Sequence, residues 1–98
     1  MNADIIAEIG FYDAKDCSRI KSAPFEYRVL MQIDKVFCDC RIDSKNIESK
    51  SEKIIRCPVA FLVPDIVNPK IKIGTIFKLW EGGDIAEGVI IIRDSHLL

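Results

Sequence analysis

Histidine is almost missing from this chain, and so is tryptophan: there is one of each in 98 residues. The lone His96 stands near the C-terminal end, where fraying is expected. No His or Asn partner for a cysteine nucleophile is identifiable, and no paired carboxylates stand out at a strand end. The sequence carries no G-x-x-x-x-G-K-[ST] phosphate loop, which excludes nucleotide hydrolysis by this chain alone. A formal net charge of -1 provides no global field to recruit nucleic acid or anionic lipid. No apolar run approaches the roughly 20 residues of a membrane span. A basic segment followed by an apolar run and a small-residue cleavage site is also missing from the N-terminal region. We therefore expect a cytoplasmic chain with no membrane partner, no nucleotide and no cofactor.

What is present is strand-forming. Hydrophobic residues make up 49% and charged residues 30%, an ordinary balance for one domain of this length. Isoleucine is abundant and alanine scarce, which favours strands. The stretch from Ile71 to Arg93 is the clearest unit. Thr75, Phe77 and Leu79 alternate with Ile76, Lys78 and Trp80. Glu81-Gly82-Gly83-Asp84 then breaks the strand with a turn in which glycine permits positive φ. Ile85 to Arg93 returns antiparallel. Its Val89–Ile92 run is apolar in both phases and is expected to be buried on both sides. Gly88 marks a bulge or a close backbone approach.

Earlier in the chain, Asp4 to Tyr12 alternates Ile5, Ala7, Ile9 and Phe11 against Ile6, Glu8 and Tyr12. Asp13 to Ala23 reads as a polar loop. Phe25, Tyr27, Val29, Met31 and Ile33 form the apolar phase of the next strand, Asp34-Lys35 turns the chain, and Val36 to Ile42 is a third strand. Asp43 to Glu52 has one isoleucine in ten residues and reads as an exposed, mobile loop, or as a short helix capped by Ser44. Lys53 to Val63 is a fourth strand, in which Pro58 requires an edge or a bulge. Pro64 ends it, and Asp65 to Lys70 connects onward. Six strands with turns between them make an all-β sandwich or small closed barrel. Strands apolar on both faces favour closure, which removes sticky edges.

Four cysteines stand at 17, 38, 40 and 57. We read them as reduced thiols packed as small hydrophobes, because a single Cys-x-Cys and one His do not complete a zinc site. Cys17 lies near Lys15, Arg19 and Lys21, which would lower a thiol pKa. With no partner base, it is read as having no task. Lys15, Arg19, Lys21 and Arg28 offer phosphate contacts, yet Asp13, Asp16 and Glu26 interleave and favour an ordinary solvated face. Trp80 beside the Glu81-Gly82-Gly83 turn is either an interface anchor or a cover over a barrel end.

Taken in order, these residues resemble the C-terminal (third) β-barrel domain of bacterial elongation factor Tu. Ala7-Glu8 precedes Asp16-Cys17-Ser18-Arg19, and Tyr27-Arg28 follows at the family's spacing. Val59 to Pro64 then leads to Gly74-Thr75-Ile76-Phe77-Lys78-Leu79-Trp80-Glu81-Gly82-Gly83-Asp84 and the glycine-bearing last strand. The family's first Gly-Gly is Cys17-Ser18 here. Its histidine after the arginine is Ile20, its Pro-Gln is Val29-Leu30, and its turn-closing arginine is Asp84. The resemblance implies a single six-stranded antiparallel β-barrel spanning residues 1–98, non-enzymatic, with Phe77 in the core. With the loop cations and the Trp80 turn read above, we expect a binding module for a protein or RNA partner linked to translation, acting through Arg19, Lys21, Tyr27, Arg28, Trp80, Glu81, Gly82 and Gly83. A standalone immunity or antitoxin protein that occludes a toxin is the alternative, and a redox or metal protein using Cys38, Cys40 and Cys57 a third.

Overall fold

A computed structural model of the chain describes residues 2–63 and 68–93. The expectations for Pro64, for 65–67 and for His96 lie outside the described residues. Six strands close into an antiparallel barrel: β1 (Ile5–Phe11), β2 (Glu26–Ile33), β3 (Val36–Asp43), β5 (Ile54–Phe61), β6 (Ile76–Trp80) and β7 (Asp84–Arg93). Around the barrel the order is β1-β7-β6-β2-β3-β5, and β5 pairs back onto β1 from Ile5↔Val59 to Gly10↔Ile54. The extra strand β4 (Glu48–Ser49) pairs with β5 at Arg56 and Ile55. The expected closed six-stranded barrel is therefore the fold.

Alternation sorts the side chains. The inward phase of β1 (Ile5, Ala7, Ile9, Phe11) is buried, as are Val29, Met31 and Ile33 of β2 and Cys38, Cys40 and Ile42 of β3. Phe77 is 2% exposed, and Gly88 of β7 faces it directly. A Cβ at Gly88 would collide with the Phe77 ring, 2.7 Å from Cε1, and would lie 3.0 Å from the Glu8 carbonyl. Glycine is there so that the ring can lie against backbone, which is the close approach expected at this position.

Several expectations need correction. Residues 13–23 are not a polar loop: Ala14–Lys21 is an α-helix, α1. It is too short for the apolar periodicity of a long helix. It does have Asp13 as N-cap, accepting the Lys15 N–H at 2.9 Å, with Asp16 in the first turn and Arg19 and Lys21 in the last, matching the helix dipole. Its Cys17 and Ile20, one turn apart, are fully buried, so α1 covers the end of the barrel where β1 ends and β2 begins. Asp43–Glu52 is not simply an exposed loop. Ser44–Asn46 forms a 3-10 turn whose cap is Asp43 rather than Ser44, and both of those residues are buried. The Asp43 carboxylate accepts from the Lys45 N–H and the Asn46 amide, which offsets its burial.

Phe25 precedes β2 and is 64% exposed, so it is not part of that strand's buried face. The Val89–Ile92 run is not buried on both sides: Ile90 is buried, Val89 and Ile91 are half-buried, and Ile92 is exposed. The register slips between Ile6↔Ile92 and Ala7↔Ile90, so Ile91 is an extra residue, and among the described residues no second layer covers this outer wall. Pro58 sits opposite Ile6. On its other edge β5 pairs with β4 at 55–56 and with β3 at 59–61, leaving Pro58 in the gap between, where its missing N–H breaks no ladder bond.

Candidate functional site

Two neighbourhoods gather the residues singled out by sequence. The first is at the barrel end beneath α1. Arg19 on α1, Tyr27 at the start of β2 and Glu81 in the β6–β7 turn are far apart in sequence, and the barrel end brings them together. The Arg19 guanidinium donates to the Tyr27 hydroxyl and to Glu81 Oε1, each at 3.1 Å, and pairs with Asp16 at 2.9 Å. The Tyr27 hydroxyl also lies 2.9 Å from both Glu81 oxygens. The hydrogen bond to Tyr27, and after it the Glu81 carboxylate, hold the guanidinium charged beyond its ordinary range. Burial, followed by the hydrogen bond to Glu81, pushes the phenol above its ordinary value. Arg19 therefore faces two carboxylates and a phenol, and it is neutralised within its own chain.

Lys21, at the end of α1, reaches the Ser49 hydroxyl of β4 at 3.5 Å. Gly82 takes φ +71, a backbone conformation that disfavours any larger residue. Neither Gly82 nor Gly83 has a heavy atom within 4 Å of where a Cβ would stand, so the turn tip is open.

The second neighbourhood is the outward face of β2, β3 and β6. The pairings Leu30↔Trp80, Leu30↔Asp39 and Gln32↔Phe37 place these side chains side by side. Trp80 and Phe37 make an edge-to-face contact with ring centroids 6.0 Å apart, and both remain exposed. Trp80 thus lies on the wall and does not cover the barrel end. Arg28, Leu30, Asp39, Trp80 and Glu81 surround a shallow depression of about 480 Å³. Arg28 is exposed and has no ion pair among the described residues, since Glu26 pairs with Arg41 instead. Sequence reasoning missed Phe37, Leu30 and Asp39. A signal was available for Phe37: it is an aromatic in the outward phase between Val36 and Cys38.

The thiols lie elsewhere, inside the barrel. Cys38 and Cys40 donate to the carbonyls of Met31 and Val29 across the β2–β3 pair, each at 3.4 Å. Burial pushes Cys38 up to about 11 and Cys57 up to about 12, and it raises Cys40 further. At Cys17 burial outweighs the nearby Lys21, so its pKa is raised, and the low-pKa reading of this thiol does not hold. Among the described residues no three His, Cys, Asp or Glu side chains converge as a metal set, and no helix is long and apolar enough to cross a membrane. Comparison with known proteins adds no relative to this geometry: no family model matches the chain, and no curated protein matches it.

Proposed function

We propose that this barrel is a non-enzymatic protein-binding module that works through the outward face of β2, β3 and β6. The observation that carries the reading is the exposed Trp80–Phe37 pair beside Leu30, with Arg28, which has no ion pair among the described residues, at its edge. Aromatic and arginine side chains set together on a firm wall are the usual anchors of an interface. A protein suits this face better than RNA. Of the two arginines put forward by the resemblance, Arg19 is occupied by Asp16 and Glu81, and Arg28 shares its depression with the carboxylates of Asp39 and Glu81, which does not suit a phosphate track. The resemblance to the elongation factor domain adds translation as the setting. An immunity role would present the same face to a toxin.

The test is a photo-reactive residue placed at Leu30, with a second at Lys53 as a control outside this face. The expected result is one cross-linked protein from Leu30, insensitive to ribonuclease and lost in Trp80→Ser and in Arg28→Glu at unchanged Tm. Its identity, translation component or toxin, decides the setting. Equal capture from Lys53, or a ribonuclease-sensitive product, overturns the proposal.

A further inference from the structure

A separate pocket of about 470 Å³ opens on the wall near the foot of β2 and β3, lined by Phe25, Glu26, Arg41, Asp43, Lys45 and Ala60 among others. Among the described residues it shares no lining residue with the Trp80 depression. Its volume falls in the range of small-molecule sites. We propose that this pocket binds a small monoanion, a carboxylate on an apolar body, with the carboxylate on Arg41 and Lys45 and the body against Phe25 and Ala60.

Four observations carry the assignment. Arg41 Nε is buried without a hydrogen bond: Glu26 Oε2 is 3.4 Å away, an ion-pair distance without hydrogen-bond geometry. A buried N–H left in that state is costly, and a shift of the guanidinium toward a ligand acceptor removes the cost. The terminal nitrogens of Arg41 meet no acceptor among the described residues, so its planar fork is open for a carboxylate. Arg28 stands directly opposite Arg41 across the β2–β3 pair, and like charges so placed repel. An anion at this position relieves that repulsion.

Lys45 Nζ lies 4.4 Å from the centre of the exposed Phe25 ring and has no ion pair among the described residues. The ring gives the ligand an apolar wall, and the buried Ala60 gives it a small floor. The lining charges fix the ligand's valence. Arg41 and Lys45 are balanced by Glu26 and Asp43, and both Asp43 oxygens are already committed to the Lys45 N–H and the Asn46 amide. A site whose described lining is formally neutral accepts one negative charge more readily than two, because each added charge meets the Glu26 and Asp43 carboxylates as well as the cations.

The carboxylate has two possible sources, a free small acid and the C-terminus of a peptide. Nitrogen-resolved NMR of the Arg41 Nε–H signal tests both. The probes are benzoate for the free acid, N-acetylphenylalanine for the terminus, N-acetylphenylalanine amide as the uncharged control and inorganic phosphate as the dianion. The expected result is a saturable shift with at least one acid, and the tighter acid names the source. Lys45→Gln, which keeps the backbone cap to Asp43, should weaken that acid about tenfold or more, and Arg41→Gln at least as much. No saturable shift, an equal shift with the amide, phosphate bound as tightly as the acids, or parent affinity in Lys45→Gln would each overturn the proposal. Trp80→Ser should leave this binding unchanged, which separates it from the protein-binding face.

Discussion

The barrel end under α1 and the outward face of β2, β3 and β6 treat an arginine in opposite ways. Arg19 and Arg28 are equal candidates in the sequence. Arg19 rises from a helix and is met by Asp16, Tyr27 and Glu81. Arg28 rises from a strand, faces another arginine across the ladder, and has no ion pair among the described residues. The helix positions a cation over a ring of loop ends, where acidic turn residues are within reach. The strand leaves a cation on an open wall, where only its register neighbours can answer it. Position in the fold, rather than residue type, separates an arginine that holds the barrel end together from one available to a partner.

The largest effect is expected in the layer beneath both regions. Phe77→Ala should cost about 3–5 kcal/mol through lost burial and a cavity, read by denaturant unfolding. Gly88→Ala should also destabilise the parent, and less so in the Phe77→Ala background, because the ring it collides with is gone. A loss under about 1 kcal/mol for Phe77→Ala would mean that the inner and outer phases of β6 are reversed.

Next comes the lid itself. Ile20→Ala should cost about 2–5 kcal/mol by emptying the contact between α1 and the barrel. Cys17, fully buried under the same helix, should become reactive to a thiol reagent in that variant while Cys40 and Cys57 stay protected. Equal exposure of all of them would show that α1 does not open independently.

A pH scan distinguishes the interior from both surfaces. Cys38 and Cys57 are raised above their ordinary 9.0, to about 11 and about 12. The folded state therefore favours the protonated thiols. Their contribution is fully present below pH 9.0 and is lost as pH rises toward 11 and 12, with Cys38 alone accounting for about 2–3 kcal/mol. Cys38→Ala should flatten the first part of that decline in a pH series of unfolding curves.

The smallest effects on stability sharpen the comparison most. Glu81→Gln should cost up to about 1 kcal/mol, because the Arg19 and Glu81 side chains are partly exposed. A double-mutant cycle with Arg19→Gln should show the two to be coupled. Arg28→Glu should change stability by less than about 0.5 kcal/mol and yet abolish cross-linking at Leu30. If Arg19→Gln abolishes capture and Arg28→Glu does not, the roles of the two regions are exchanged.

Much of the barrel was legible because alternation is a local property. Ile5-Ala7-Ile9-Phe11 and Phe77-Leu79 show their inward phase within a few residues, and Gly88 showed its close approach by being a glycine in a run of branched residues. α1 was not legible, because eight residues hold only two buried apolar positions, Cys17 and Ile20, amid six that are polar or small. Trp80 was legible as a residue to watch. Its neighbours Phe37 and Leu30 were not, because the β2–β3 and β2–β6 registers bring them together.

The sequence by itself determined the class of fold, the positions of most turns and the inward face of most strands, since each depends on period-two burial and on glycine's permitted φ. The tertiary structure alone decided which charges are answered. Asp16, Tyr27 and Glu81 meet at Arg19 because closing the barrel gathers its loop ends, while the ladder sets Arg28 against Arg41, gives Glu26 to Arg41, and leaves Arg28 with no ion pair among the described residues. Pairing between side chains distant in sequence depends on register and closure, which are properties of the assembled sheet.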